Sequence, residues 1–400
     1  MNQHLMADEP DDILKEGWLY KVMVIFATVD NWPGWLVLLM MPIWAVMTAV
    51  TWQIVGIQTP ISLAAGGTLL LALGLDAAML ISLPRRGLSF GPWESQFVLL
   101  GLLRTAAALA LSVLSWLIGG WGALVFLIAL QVGATAAAIW GYLIEPFRVG
   151  LTEWTLTTDR LPAAARPLRI LHITDLHIER ATKRETAVLQ IAQQTNPDLI
   201  LITGDYVSLS YNTDPITHRQ VREFLQQLHA PHGVFATLGS ITVDLREQVV
   251  PIFDGLPIPL MRQEWRAVDL GEGRQVVLLG MDCTHHLPTD RARLANLHAS
   301  APNSVPQILL YHSPELMPEA AVHGIDLYLC GHTHGGQVRL PLIGPLLTSS
   351  QLGRRYVMGL YKEARTHLYV SRGLGLEGMS APRVRFLSPP ELTLITVQGK

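Results

Sequence analysis

The hydrophobic positions of this 400-residue chain change their pattern once, near residue 150. Before it lie four nearly unbroken apolar blocks, Gly34 to Ile57, Ile61 to Leu83, Ser95 to Ile118 and Gly122 to Ile144. Coiled as a helix, each is long enough to cross about 30 Å of hydrocarbon. Helices buried in a soluble bundle keep one polar stripe, and these blocks have almost none, so residues 34–147 are expected to form a four-helix transmembrane domain. Beyond it the apolar runs shorten to strand length. Leu168 to Thr174, Leu199 to Thr203, Val234 to Leu238, Val276 to Gly280, Ile308 to Tyr311, Leu327 to Leu329 and Leu368 to Ser371 read as buried strands. Between them Arg180 to Thr195, Pro215 to His229, Asp290 to His298 and Pro314 to Val322 read as helices, so residues 168–400 predict an α/β domain. Residues 148–167, with Pro162 and Pro167, read as a linker, and residues 1–33 as a cytoplasmic N-terminal segment whose run Trp18 to Phe26 suits an interfacial helix.

The polar residues refine this picture. Lys15 and Lys21 precede the first block, Arg85 and Arg86 lie between the second and third, and Arg148, Arg160, Arg166 and Arg169 follow the fourth. The other two loops carry no Lys or Arg, so the positive-inside rule places both termini, and the α/β domain, in the cytoplasm. Nine of the 11 tryptophans fall before residue 150, and Trp32, Trp35, Trp93, Trp116, Trp121 and Trp140 lie near block ends, as an interfacial belt requires. The first 30 residues lack the basic start, apolar core and small-residue cleavage site of a secretory signal, and are expected to be retained. Asp76 and Arg104 sit inside the blocks at similar depths, about 10 and 14 Å by helical rise, and are expected to pair. Few other polar groups are there to line a transport path.

Composition adds limits. The chain is 50% hydrophobic and 15% charged, with a mean hydropathy of +0.32, too apolar a balance for a purely soluble protein. Its formal net charge of −3 offers no footprint for nucleic acid. Cys283 and Cys330 are the only cysteines, too few for a disulfide framework and compatible with a reducing compartment.

Chemistry gathers in the second half, where 13 of the 14 histidines lie. Leu171-His172-Ile173-Thr174 runs into Asp175-Leu176-His177, Leu201-Ile202-Thr203 into Gly204-Asp205, and Leu309-Leu310-Tyr311 into His312. Ile325 to Leu329 runs into Cys330-Gly331-His332-Thr333-His334-Gly335-Gly336-Gln337. Singly these are ordinary: turn chemistry, a helix cap, a hydrogen-bonded core histidine. Strand ends, however, collect at one edge of a sheet, so four such clusters in one domain point to a shared ligand centre.

The succession of Asp-x-His, Gly-Asp, His and Gly-His-Thr-His-Gly-Gly-Gln resembles the calcineurin-like metallophosphoesterases, in particular their bacterial membrane-associated branch of the YkuE and YaeI type. The resemblance spans residues 168–398, and Tyr369 to Gly375 and Pro390 to Thr396 share in it. It implies an α/β sandwich of two mixed sheets flanked by helices, fused here to the four apolar blocks. It also implies two divalent transition metals: Asp175, His177, Asp205 and His334 around the first, Asp205, His312, His332 and Ser240 around the second, with Asp205 bridging. Asp175, Asp205 and His332 are then the catalytic candidates. Mixed carboxylate and imidazole ligation suits Mn, Fe or Zn better than Ca or Mg.

One motif departs from the family. Where its members have Gly-Asn-His followed by an acidic residue, this chain reads Gly239-Ser240-Ile241-Thr242-Val243-Asp244. The resemblance assigns that Asn to the second metal and that His to the transition state or leaving group. Serine is a poorer ligand, and isoleucine has no proton to give. Asp244, His285 and His286 are candidates to compensate. The expected protein is a membrane-anchored phosphoesterase of the bacterial inner membrane, acting in the cytoplasm on a phosphomono-, phosphodi- or pyrophosphate ester, with a lipid-linked substrate suggested by the anchor. The alternative is a metal-binding sensor or scaffold with impaired turnover.

Overall fold

The computed structural model describes residues 13–400 except Glu377 and Ala381. These fall into two compact units, a helical one of residues 18–144 with 379–383, and an α/β one that holds most of residues 145–400.

In the helical unit Trp18–Ala27 forms a short helix, and three helices, Gly34–Ile54, Thr59–Ser82 and Glu94–Phe147, are long and apolar enough to cross a membrane. The last is broken at Gly119, where φ 75° and ψ 163° lie outside the helical region and glycine carries no Cβ to resist them. Its two arms lie side by side. Arg104 Nη1 on the first arm reaches Gln131 Oε1 on the second at 2.8 Å, whereas 27 residues of straight helix would separate them by about 40 Å. The expected blocks Ser95 to Ile118 and Gly122 to Ile144 correspond to these arms. Asp76 and Arg104 pair as expected, through Nε to Oδ2 at 2.6 Å and Nη2 to Oδ1 at 2.8 Å, both side chains buried. Small residues let the helices approach closely, as where Gly66 passes the Ala45 carbonyl, Trp52, Leu69, Leu73 and Phe97 fill the interior, and Ile54, Leu71, Leu103, Trp116 and Leu117 face outward.

The α/β unit is a sandwich of two mixed sheets. The first has the spatial order Gly150–Thr158, Glu391–Gly399, Leu168–Ile173, Leu199–Thr203, Val234–Thr237. The second runs Gly359–Glu363, Thr366–Val370, Leu327–Cys330, Gln307–Leu310, Arg274–Gly280, Glu264–Gly271. Their central strands are parallel and are covered on both faces, which is why they read as unbroken apolar runs rather than alternating ones. Along Leu199 to Ile202 the side chains divide by parity: Leu199 and Leu201 meet Leu278, Leu310 and Leu329 of the second sheet, while Ile200 and Ile202 face Val188 and Val221 of the outer helices. The opposite outer face, with Leu279, Leu309 and Tyr328, is closed by Leu294, Met317 and Ala320.

One expectation changes. The stretch 148–167 is not a plain linker: Gly150–Thr158 is a nine-residue strand paired in parallel with Glu391–Gly399. Its alternation of Thr, Glu and Trp is that of a half-exposed edge strand. Likewise Glu264–Gly271 and Gly359–Glu363 are edge strands too polar to stand out as apolar runs.

Candidate metal centre

The parallel strands carry the chemistry because each ends in a tight turn at the same edge of the sandwich. Leu168–Ile173 leads to Asp175 and His177, Leu199–Thr203 to Asp205, Gln307–Leu310 to His312 and Leu327–Cys330 to His332 and His334. Asp175, His177, Asp205, His332 and His334 all have positive φ, between 39° and 69°. Such backbone costs roughly 1–3 kcal/mol per residue and persists where the surroundings enforce it, commonly at functional sites.

The turns bring all six together in two groups, Asp175 with His177 and His334, and Asp205 with His312 and His332. Within each, one donor atom per residue lies within 4.8 Å of the others, and all six residues are buried. The groups adjoin, since Asp205 Oδ2 is 3.1 Å from His312 Nε2 and 3.5 Å from His177 Nε2. Glycine lets backbones come this close: a Cβ at Gly331 would collide with Asp175 Oδ2, and one at Gly239 with Asp205 Oδ1.

The residues fit metal ions. His312 Nδ1 faces the Thr203 carbonyl at 2.7 Å and must donate to it, which leaves Nε2 as a lone-pair atom when the ring is neutral. That Nε2 is buried and faces Asp205 Oδ2 at 3.1 Å, a pair of donor atoms that one cation can share. His332 Nε2 similarly faces the Ser349 carbonyl at 3.3 Å, freeing Nδ1. His177 Nε2 and His334 Nε2 face each other at 3.1 Å, a close approach of two ring nitrogens that suits a shared cation.

Electrostatics agree. Burial pushes Asp175 up to about 6, with Asp205 adding and His312 opposing. Burial would raise Asp205 too, but His312 outweighs it and holds that carboxyl well below the usual range. Burial would lower His312, yet Asp205 and Asp175 raise it to about 10. Burial drives His177 down to about 4 and His332 to about 3, so both are neutral, the form that ligates.

The altered motif takes a definite shape. Ser240 is buried beside Asp205, its N–H donating to Asp205 Oδ1 at 2.8 Å, and its Oγ is 3.1 Å from His285 Nε2. Asp244 is a brace: Oδ2 accepts from the N–H groups of Asp205 and Gly239, both at 2.8 Å, and Oδ1 from Tyr206 N–H at 2.9 Å. His286, at the start of the helix Leu287–Ser300, turns away to Thr289 Oγ1, 2.7 Å from its Nδ1. Sequence reasoning missed Arg385, fully buried, which donates to the carbonyls of Arg372, Gly375 and Ser388 and lies 3.0 Å from His334 Nδ1. No motif marks it.

The fold and the two ligand groups together define a class. The pattern of the calcineurin-like phosphoesterases matches residues 168–336. The chain is 30% identical over 283 residues to the metallophosphoesterase YkuE of Bacillus subtilis (strain 168), an alignment covering 68% of this chain and 94% of that one. It is 28% identical to the phosphodiesterase YaeI of Escherichia coli (strain K12) over 58% of this chain and 82% of that one. With the UDP-2,3-diacylglucosamine pyrophosphatase LpxG of Chlamydia trachomatis serovar D it shares 25% identity, over 64% of this chain and 92% of that one. The chain therefore belongs to the calcineurin-like phosphoesterase family and is a metallophosphoesterase, a hydrolase of phosphate esters.

Proposed function

We propose that this is a membrane-anchored phosphoesterase that hydrolyses a lipid-linked phosphodiester or pyrophosphate with the help of two divalent transition metals, Mn, Fe or Zn. The observation that carries it is the meeting of Asp175, His177 and His334 beside Asp205, His312 and His332, with the donor atoms of each group within 4.8 Å of one another. Asp175, His177 and His334 would hold the first metal, His312 and His332 the second, and Asp205, within reach of both histidine sets, would bridge them. Bound there, the metals supply an activated water and positive charge to meet the charge that builds on the phosphoryl oxygens. The protein's part is to hold its ligands rigid through strained turns and to keep His177, His332 and His334 unprotonated. Ile241 stands where the family has a proton-donating histidine, which favours substrates whose leaving group needs little protonation, diesters and pyrophosphates over alkyl monoesters.

Two features support the lipid. The outward face of the helical unit is apolar, with Ile54, Leu117 and Trp116 at 78, 81 and 71% exposure, a surface suited to hydrocarbon, and the break at Gly119 supports a four-span arrangement. Charge placement in the loops favours a cytoplasmic α/β domain in a bacterial inner membrane. In the α/β unit, the segment that follows the His334 turn exposes Leu340, Leu342, Ile343, Leu346 and Leu347. This apolar hairpin leads straight back to Ser349, the partner of His332, so acyl chains held on it would lie next to the metal ligands. A soluble substrate would have no use for such a surface.

The test uses the full chain in lipid nanodiscs with an aryl phosphodiester, an alkyl phosphomonoester and a lipid-linked pyrophosphate. The diester and pyrophosphate are expected to turn over faster than the monoester, and Asp205→Ala to abolish all hydrolysis. Two metals bound with no turnover of any of the three would instead establish the sensor or scaffold reading.

A further inference from the structure

The three residues grouped at the second site make a thin shell, and Ser240 supplies only a hydroxyl where the family has an amide carbonyl. His285 stands outside that triad, but its surroundings are those of a ligand. It is completely buried, although a lone histidine in a loop is ordinarily half exposed. Its φ is 58°, which it shares with Asp175, His177, Asp205, His332 and His334 and with few other buried polar residues. Its ring lies 4.6 Å, centroid to centroid, from that of His332, which in turn lies 5.2 Å from that of His312, so three imidazoles follow one another along the second site.

The decisive contact is between His285 Nε2 and Ser240 Oγ, 3.1 Å apart. Ligand bonds of about 2.0–2.1 Å at a right angle place neighbouring donor atoms about 3.0 Å from each other. The same 3.1 Å separates His177 Nε2 from His334 Nε2 in the first group. Cys283 Sγ also adjoins the His285 ring, 3.5 Å from Nε2 and 3.7 Å from Nδ1. The His285 backbone is pinned by Gln351 Nε2, which donates to its carbonyl at 2.8 Å.

We infer that His285, through Nε2, is the fourth strong protein ligand of the second metal and takes over the role the family gives to asparagine, with Ser240 Oγ beside that nitrogen as a weak, dispensable donor. The inference rests on the metal-dependent reading above and singles out, among the three candidates to compensate for the altered motif, the one placed as a ligand. An Asp205, His312, His332, His285 shell is richer in nitrogen than the family's, and it therefore favours Zn over Mn at this site.

The experiment measures metal binding rather than activity. The full chain in detergent is stripped with chelator, and Zn and Mn are titrated by calorimetry with elemental analysis of the product, for the wild type and for His285→Phe, His285→Gln and Ser240→Ala. Two Zn per chain are expected in the wild type. His285→Phe, which keeps a ring against His332, should bind the second Zn on the order of 100-fold more weakly or not at all, since losing a ligand costs at least as much as losing a partner that supports one. Ser240→Ala should retain both metals. His285→Gln restores an oxygen donor and should move the second site's preference from Zn toward Mn by tenfold or more, which keeps the inference testable if the Phe variant misfolds. Unchanged second-site affinity in His285→Phe, unchanged selectivity in His285→Gln, or loss of the second metal in Ser240→Ala alone would overturn it. Failure of the wild type to bind any metal would instead defeat the dinuclear reading itself.

Discussion

Removing Arg104 should destabilise the helical unit far more than removing Arg104 and Asp76 together. The pair is bidentate, at 2.6 and 2.8 Å, and buried, and Arg104 also donates to Gln131 Oε1 at 2.8 Å and Thr135 Oγ1 at 3.0 Å across the break at Gly119. Two unit charges about 4 Å apart attract by roughly 4 kcal/mol at an effective dielectric near 20. Stranding one of them costs about 3–5 kcal/mol, whereas replacing both with neutral groups is close to neutral. Arg104→Met and Asp76→Asn should therefore each lower the unfolding free energy by about 3 kcal/mol or more, and the double variant by about 1 kcal/mol, a coupling of several kcal/mol. The assay is reversible unfolding of the full chain in mixed micelles with rising dodecyl sulfate, followed by circular dichroism. If the double variant lost as much as the sum of the single ones, the pair would not be the clamp that holds the two arms together.

Three further outcomes follow from the α/β unit. In Gly331→Ala the new methyl displaces the Asp175 carboxylate, which accepts from His332 N–H at 3.0 and 3.2 Å, and first-site metal affinity should fall on the order of 100-fold by calorimetry. Metal binding should release protons with a defined sign. Without metal, His312 titrates near 10 and must lose its proton to ligate, so at pH 8 about one proton should leave per chain and affinity should fall as pH drops. Below about 6 Asp175 is protonated as well, and the slope should steepen to two protons; calorimetry in buffers of different ionisation enthalpy counts them, and no release at pH 8 would refute the assignment. Replacing Leu342 and Ile343 by serine should raise KM for a lipid-linked substrate about tenfold or more and leave a soluble aryl diester unaffected, because burying each such side chain is worth roughly 1.5–3 kcal/mol.

The strands that deliver the ligands were readable because they are covered on both faces. Leu199 to Thr203 is apolar at every position but the last, and such a run has one plausible home, the centre of a parallel sheet. Its candidate ligand turn was legible because four apolar runs in one domain end in such polar clusters, and strand ends collect at one sheet edge. Edge strands offered no such contrast. Gly150–Thr158 carries Thr152, Glu153, Thr155 and Thr157 toward solvent or a rim, and only its pairing with Glu391–Gly399 makes it a strand. Arg385 was beyond reach, and His285 stood only as one of three candidates, for a different cause. Each arrives at the site from a loop between elements, 45 and 51 residues from its contact, and only the closed fold supplies that proximity.

The most direct test of the two-metal phosphoesterase is to strip the full chain of metal and follow hydrolysis of an aryl phosphodiester while Mn or Zn is returned in measured amounts. Activity should be absent at first, rise with added metal and level off at two equivalents per chain, and Asp205→Ala should stay inactive throughout. Hydrolysis that persists in the stripped protein, or that survives Asp205→Ala, would contradict it.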